Sequence, residues 1–106
     1  MTEAITVYIT TENLEEARRI AEAVVRDRLA ACANILGEIT SFYHWNDAVE
    51  NSTEAAVIFK TRKTLFGALE RRIRELHSYD CPCIVAWEIT DGHTPYLDWL
   101  AAETKP

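Results

Sequence analysis

The sequence predicts an α+β fold in which strands and helices follow one another as β-α-β-β-α-β, with a short helix at the end. Three observations carry this. β-Branched runs near residues 4–10, 54–61 and 84–90 read as strands. Two stretches of helical period, ending near residues 28 and 76, lie between strand segments. Two long strand segments in the middle of the chain are joined by one polar stretch, so they pair as an antiparallel hairpin.

Each element has its own signal. In AITVYIT, Ile5, Val7 and Ile9 take one face and Thr6 and Tyr8 the other. TTEN follows, with Thr11 or Asn13 as a helix N-cap. Asn13 and Glu16 form a capping-box pattern, and Glu12, Glu15 and Glu16 suit the positive end of the helix dipole. The helix runs to about Arg28 and gathers Leu14, Ala17, Ile20, Ala21, Val24 and Val25 on one side. Residues 30–45, ending in the aromatic SFYHW, form the second strand, with Gly37 as a bulge or bend. NDAVENST, residues 46–53, reads as turn material, and EAAVIFKT, residues 54–61, as the third strand. A second amphipathic helix spans 62–76, with Leu65, Leu69, Ile73 and Leu76 inward. IVAWEIT, residues 84–90, is the fourth strand. A last helix starts at Pro95, which suits a first turn, and ends near Ala102. This order is that of a ferredoxin-like split β-α-β-β-α-β sandwich in a single domain, residues 1–106.

Seventeen acids against eleven bases give a net charge of −6. That balance disfavours a grip on nucleic-acid phosphates or on an anionic membrane, since both need a basic face. No apolar run reaches the roughly 20 residues of a transmembrane helix, and MTEAITVYIT lacks the basic and apolar regions of a signal peptide. Three cysteines cannot all pair within one chain, so reduced thiols and a cytoplasmic setting are the expectation.

A ferredoxin-like fold hosts many functions, so chemistry must come from particular residues. The loop after the first strand, TTEN, carries neither a CxxC for copper nor an arginine and glycine for phosphate. There is no GxxxxGK[ST] loop. What stands out is LAACANI (residues 29–35), SFYHW (41–45), Glu54, FKT (59–61), the HxYxxPxI frame of HSYDCPCI (77–84) and YLDW (96–99). In this order and spacing the chain resembles the CutA divalent-cation-tolerance family over nearly its whole length. The resemblance implies a PII-like homotrimer, tolerance of copper and other divalent metals, and no established catalytic reaction. It also implies a cleft between subunits in which a small anionic ligand is the alternative to a metal.

The candidate metal ligands are His77, Cys81, Cys83 and Cys32. Cys83 stands where the family pattern has a glutamate, and a thiolate there favours copper(I) or zinc over harder ions. If extended, Cys81 and Cys83 have Cα atoms about 6.5–7 Å apart, at the edge of disulfide range, so no disulfide is expected. The candidate ligand-cleft residues are Lys60, Tyr79, Trp45, Tyr96 and Trp99. Lys60 sits on a strand expected to be buried and therefore needs an anionic partner: Glu54, an acid of a neighbouring subunit, or a bound anion. Each candidate has a plain structural role beside it: Cys32 as a small buried apolar group, His77 as a helix C-cap, the aromatics as packing.

Overall fold

A computed structural model describes residues 3–106. The reading of MTEAITVYIT as no signal peptide rests in part on Met1 and Thr2, which lie outside the described residues. The elements are β1 (Ala4–Thr11), α1 (Leu14–Arg26), β2 (Cys32–Trp45), β3 (Ala48–Arg62), a 3₁₀ turn (Lys63–Leu65), α2 (Phe66–Leu76), β4 (Ile84–Glu88) and α3 (Thr94–Ala102). The four strands form one antiparallel sheet in the order β2-β3-β1-β4. This is the predicted split β-α-β-β-α-β arrangement.

The alternation in β1 decides which side is covered. Ile5, Val7 and Ile9 are buried with Val57 and Phe59 of β3, under Ala17, Ile20 and Val24 of α1 and Leu69 and Ile73 of α2. Asn13 caps α1 as expected: its side-chain oxygen accepts from the Glu16 N–H at 2.8 Å. Such a cap contributes about 1 kcal/mol. The opposite face carries Thr6, Tyr8 and Thr10 of β1. Only its end near Ala4 is roofed, by Leu97 and Leu100 of α3.

Several boundaries move. NDAVENST is mostly strand. Only Asn46 and Asp47 turn, with φ of 49° and 64°. Two consecutive left-handed residues make a type I′ turn, whose twist matches that of the flanking strands. Glu50–Thr53 then pair with Thr40–Tyr43. That stretch hid its strand character because the hairpin projects beyond the helices. Both its faces meet solvent, so no apolar alternation marks it. The projection gives the molecule extents of 45 × 25 × 22 Å. Gly37, with φ of 108°, follows the bulge at Leu36 that breaks the β2–β3 register. α1 ends at Arg26 and not Arg28, which takes a left-handed φ of 57°. α2 begins at Phe66 after the 3₁₀ turn, β2 begins at Cys32, and β4 stops at Glu88.

Candidate functional site

The register fixes what meets on the open face. One row across the sheet is Cys32, Lys60, Thr6, Trp87; the next is Asn34, Ile58, Tyr8, Val85. Further along β3 on the same face lies Glu54, and Cys83 comes just before β4, two residues ahead of Val85. The face therefore has an acidic end at Glu54 and a basic end at Lys60. Six residues at roughly 3.3 Å each put them about 20 Å apart.

The acidic end is built by the turn after α2. His77 caps that helix, and its Nε2 lies 2.8 Å from the Thr10 carbonyl at the end of β1. Its Nδ1 accepts the Tyr79 N–H at 3.1 Å, so Nε2 carries the proton and donates. Glu16 of α1, only 4% exposed, accepts the N–H groups of Glu12 at 2.9 Å and Ser78 at 2.8 Å. Desolvation opposes its charge most strongly. The hydrogen bonds from Glu12 and Ser78, helped by His77, outweigh that and hold its carboxyl below the usual range. The turn is thus tied to β1 and to α1, and it aims Tyr79 at Glu54.

Glu54 is 9% exposed. Its Oε2 accepts the Tyr79 hydroxyl at 2.8 Å, and its Oε1 has no hydrogen-bond partner among the described residues. No cation balances it: neither Lys nor Arg pairs with Glu54 among the described residues. Three other acidic groups register this carboxylate. Desolvation first and then Glu54 raise the Cys83 thiol. Desolvation, Cys83 and Glu54 raise Tyr8. Desolvation and the Glu54 hydrogen bond raise Tyr79 well above the usual phenol range. All of them stay protonated near neutrality, around one partly unpartnered carboxylate.

The sequence-predicted residues are therefore divided. Cys83 lies across β1 from Glu54, near enough for the carboxylate to raise its thiol. Cys81 is exposed. Both nitrogens of His77 are occupied by backbone groups, so it holds the turn and a metal would have to displace one of those bonds. Cys32 lies at the basic end, about 20 Å from Cys83 by strand count and rise, so one chain does not bring those thiols together. No group of three or more His, Cys, Asp or Glu residues able to hold a metal ion occurs among the described residues. All three thiols are free, in line with the expectation for Cys81 and Cys83.

Lys60 is expected to be buried with an anionic partner, with Glu54 the one candidate inside a single chain. It is half-buried and donates to Asn34 Oδ1 at 3.1 Å; Glu54 has Tyr79 instead. Tyr96 of α3 reaches the row from above, its hydroxyl 3.5 Å from Cys32 Sγ and its ring 5.5 Å from that of Trp99. Desolvation and that thiol push Tyr96 up to about 12. Tyr79 belongs to the other end of the face. Trp45 lies at the hairpin tip, 61% exposed and twelve β3 residues from the level of Lys60, about 40 Å away. A cleft holding both Trp45 and Lys60 needs a second copy of the chain. Sequence reasoning missed Glu54 as a site centre and Glu16 as the anchor of the turn. The available signal was an acid opening the apolar run Ala55-Ala56-Val57.

Comparison with known proteins bears on this geometry. Residues 5–103 match the family described as CutA1 divalent ion tolerance protein. The chain belongs to the CutA1 family. It is 42% identical over 101 residues to the divalent-cation tolerance protein CutA of Pyrococcus horikoshii, covering 95% of this chain and 98% of the relative. It is 38% identical over 102 residues to the chloroplastic CutA of Arabidopsis thaliana, covering 96% of this chain and 56% of that protein. The chain thus spans little more than half the length of its curated plant relatives. Among solved structures, CutA1 of Ehrlichia chaffeensis superposes with a TM-score of 0.94 at 35% identity, covering 100% of this chain and 99% of the other. The Thermus thermophilus protein gives 0.94 at 42%, covering 96% and 99%.

Proposed function

We propose that this CutA1 family member is a metal-tolerance protein that binds divalent or cuprous ions without catalysing a reaction, and that the acidic end of its open sheet face does the binding. The observation that carries the reading is Glu54: a carboxyl nine-tenths buried, with one oxygen on a neutral tyrosine and the other without a hydrogen-bond partner among the described residues, across β1 from the Cys83 thiol that it raises. The free Glu54 oxygen is not among the buried unpartnered atoms of the described residues, so it stays open to a cation that it would share with a thiolate. The names of the relatives support the class of ligand. Cys83 supplies the soft donor and favours copper(I) or zinc. Glu54 and Cys83 are two donors, short of the four of a closed zinc site. Water or a second copy would complete the set.

The reading includes a homotrimer acting in the cytoplasm. Trp87 (50% exposed), Phe42 (71%) and Trp45 leave large apolar groups in solvent. β2 is a sheet edge beside an open groove of about 500 Å³, lined by Ala21, Val25, Ala31, Cys32, Ala33 and Ile35 with Arg18 and Glu22 at its rim. Exposed apolar area and an unpaired edge favour closed assembly. Free thiols suit a reducing compartment. No helix among the described residues is long and apolar enough to cross a membrane.

Competition titration of the reduced protein with copper(I) and zinc(II) tests the site. Glu54→Gln and Cys83→Ser should each weaken binding tenfold or more, and unchanged affinity in both overturns the assignment. Sedimentation at a single-chain mass would overturn the trimer.

A further inference from the structure

The two oxygens of Glu54 are not equivalent. Oε2 accepts the Tyr79 hydroxyl at 2.8 Å, while Oε1 has no hydrogen-bond partner among the described residues. Both ends of that bond sit on anchored backbone. Tyr79 lies in the turn between α2 and β4. Its N–H donates to His77 Nδ1 at 3.1 Å, and the two rings lie 4.8 Å apart at 53°. His77 is tied through Nε2 to the Thr10 carbonyl at 2.8 Å. The Ser78 N–H donates to the buried Glu16 carboxylate at 2.8 Å. The end of β1 and the first turn of α1 therefore hold the backbone that carries the Tyr79 ring. Glu54 is held from the other side, on β3 with Ile39 opposite it on β2.

That bond has two consequences for a cation at Glu54. A carboxylate binds metal through one oxygen or through both. Binding through Oε1 alone keeps the tyrosine bond, whereas binding through both oxygens breaks it. The hydroxyl also polarises the carboxylate towards Oε2, which makes Oε1 a weaker oxygen donor. Hard ions such as calcium and manganese draw their ligands from oxygen and use carboxylates in either mode, so both effects count against them. Zinc and copper(I) draw on a thiolate as well, and the Cys83 thiol lies across β1 within reach of the Glu54 charge.

We propose that Tyr79 is a positioning residue that sets the metal preference of Glu54. Its hydroxyl occupies Oε2 and leaves one oxygen, so ions that rely on a thiolate are taken ahead of ions that rely on a two-oxygen carboxylate. The proposal rests on the reading of Glu54 and Cys83 as metal ligands and adds the choice among ions.

Tyr79→Phe removes the hydroxyl and keeps a ring against His77. Competition titrations of the reduced protein with manganese(II), calcium(II), zinc(II) and copper(I) read the preference. In Tyr79→Phe the ratio of manganese to zinc affinity should rise about tenfold, the scale of one hydrogen bond to a charged acceptor. A loss of folded protein alone would weaken all the ions together and leave that ratio unchanged. Difference infrared spectra of the manganese-saturated proteins give a second reading. The gap between the antisymmetric and symmetric carboxylate stretches should be wide in the wild type, for one-oxygen binding, and narrow in Tyr79→Phe, for two. An unchanged ratio in Tyr79→Phe overturns the proposal, and so does a two-oxygen spectrum from the wild type, which needs no variant to fold. If Glu54→Gln leaves the affinity for every ion unchanged, the metal site lies elsewhere and the proposal falls with it. If Glu54→Gln loses affinity while the Tyr79→Phe ratio stays at the wild-type value, the role of the tyrosine alone fails.

Discussion

The two faces of the sheet differ in what they leave unsatisfied. On the helix side, Val7, Ile9, Val57 and Phe59 are fully buried, and the polar groups buried there, Thr11, Thr61 and Glu16, have hydrogen-bond partners. On the other side, the same strands present Tyr8, Ile58 and Trp87, a carboxylate with a free oxygen and a lysine with only an amide. Alternation along β1 and β3 puts both sets on adjacent residues. One face therefore supplies folding energy, while the other holds unmet polar and apolar demand, which is what a binding and assembly surface requires.

Substitutions can break that division. Phe59→Ala has the largest expected effect, a loss of about 3–5 kcal/mol of stability from burial and cavity terms. Chemical denaturation should show it, while metal affinity of the protein that remains folded should be unchanged. A fall in affinity would mean that the two faces are not separable. Glu16 sharpens the comparison, because it belongs to the covered side yet holds the turn that aims Tyr79. Glu16→Gln should cost about 1.5–3 kcal/mol at neutral pH, the scale of hydrogen bonds to a charged acceptor. The carboxyl is held below its unfolded value, so its contribution is present above the unfolded pKa of about 4.3. It disappears as pH falls through the lower folded value. Denaturation curves of the two proteins should therefore converge in acid, and a gap that persists there would contradict the role given to the charge. The smallest effect is that of Asn13→Ala. It should cost about 1 kcal/mol, read as a lower melting temperature, with no change in metal binding.

The covered face was legible in the sequence because burial on one side writes a period of two into strands and 3.6 into helices. Ile5, Val7 and Ile9 show the first, and Ala17, Ile20 and Val24 the second. Residues 48–53 were misread as a turn because the projecting hairpin has no buried side to impose a period. The site was legible only in pieces. Cys83, Lys60 and Tyr96 were named from their types and setting, yet their grouping depends on register. The slip at the Leu36 bulge and the β1–β4 pairing decide that Cys32 and Cys83 lie at opposite ends. Glu54 stood out in the sequence but was matched to Lys60, the nearer cation, because its actual partner Tyr79 is 25 residues away.

The most direct test of the acidic end is a crystal grown from reduced protein with zinc, with the metal located by anomalous scattering. The account predicts a peak about 2.3 Å from Cys83 Sγ and about 2.0–2.2 Å from a Glu54 carboxylate oxygen. A zinc ion bound elsewhere, on Cys32 or at the hairpin tip, with Glu54 still paired only to Tyr79, would contradict it.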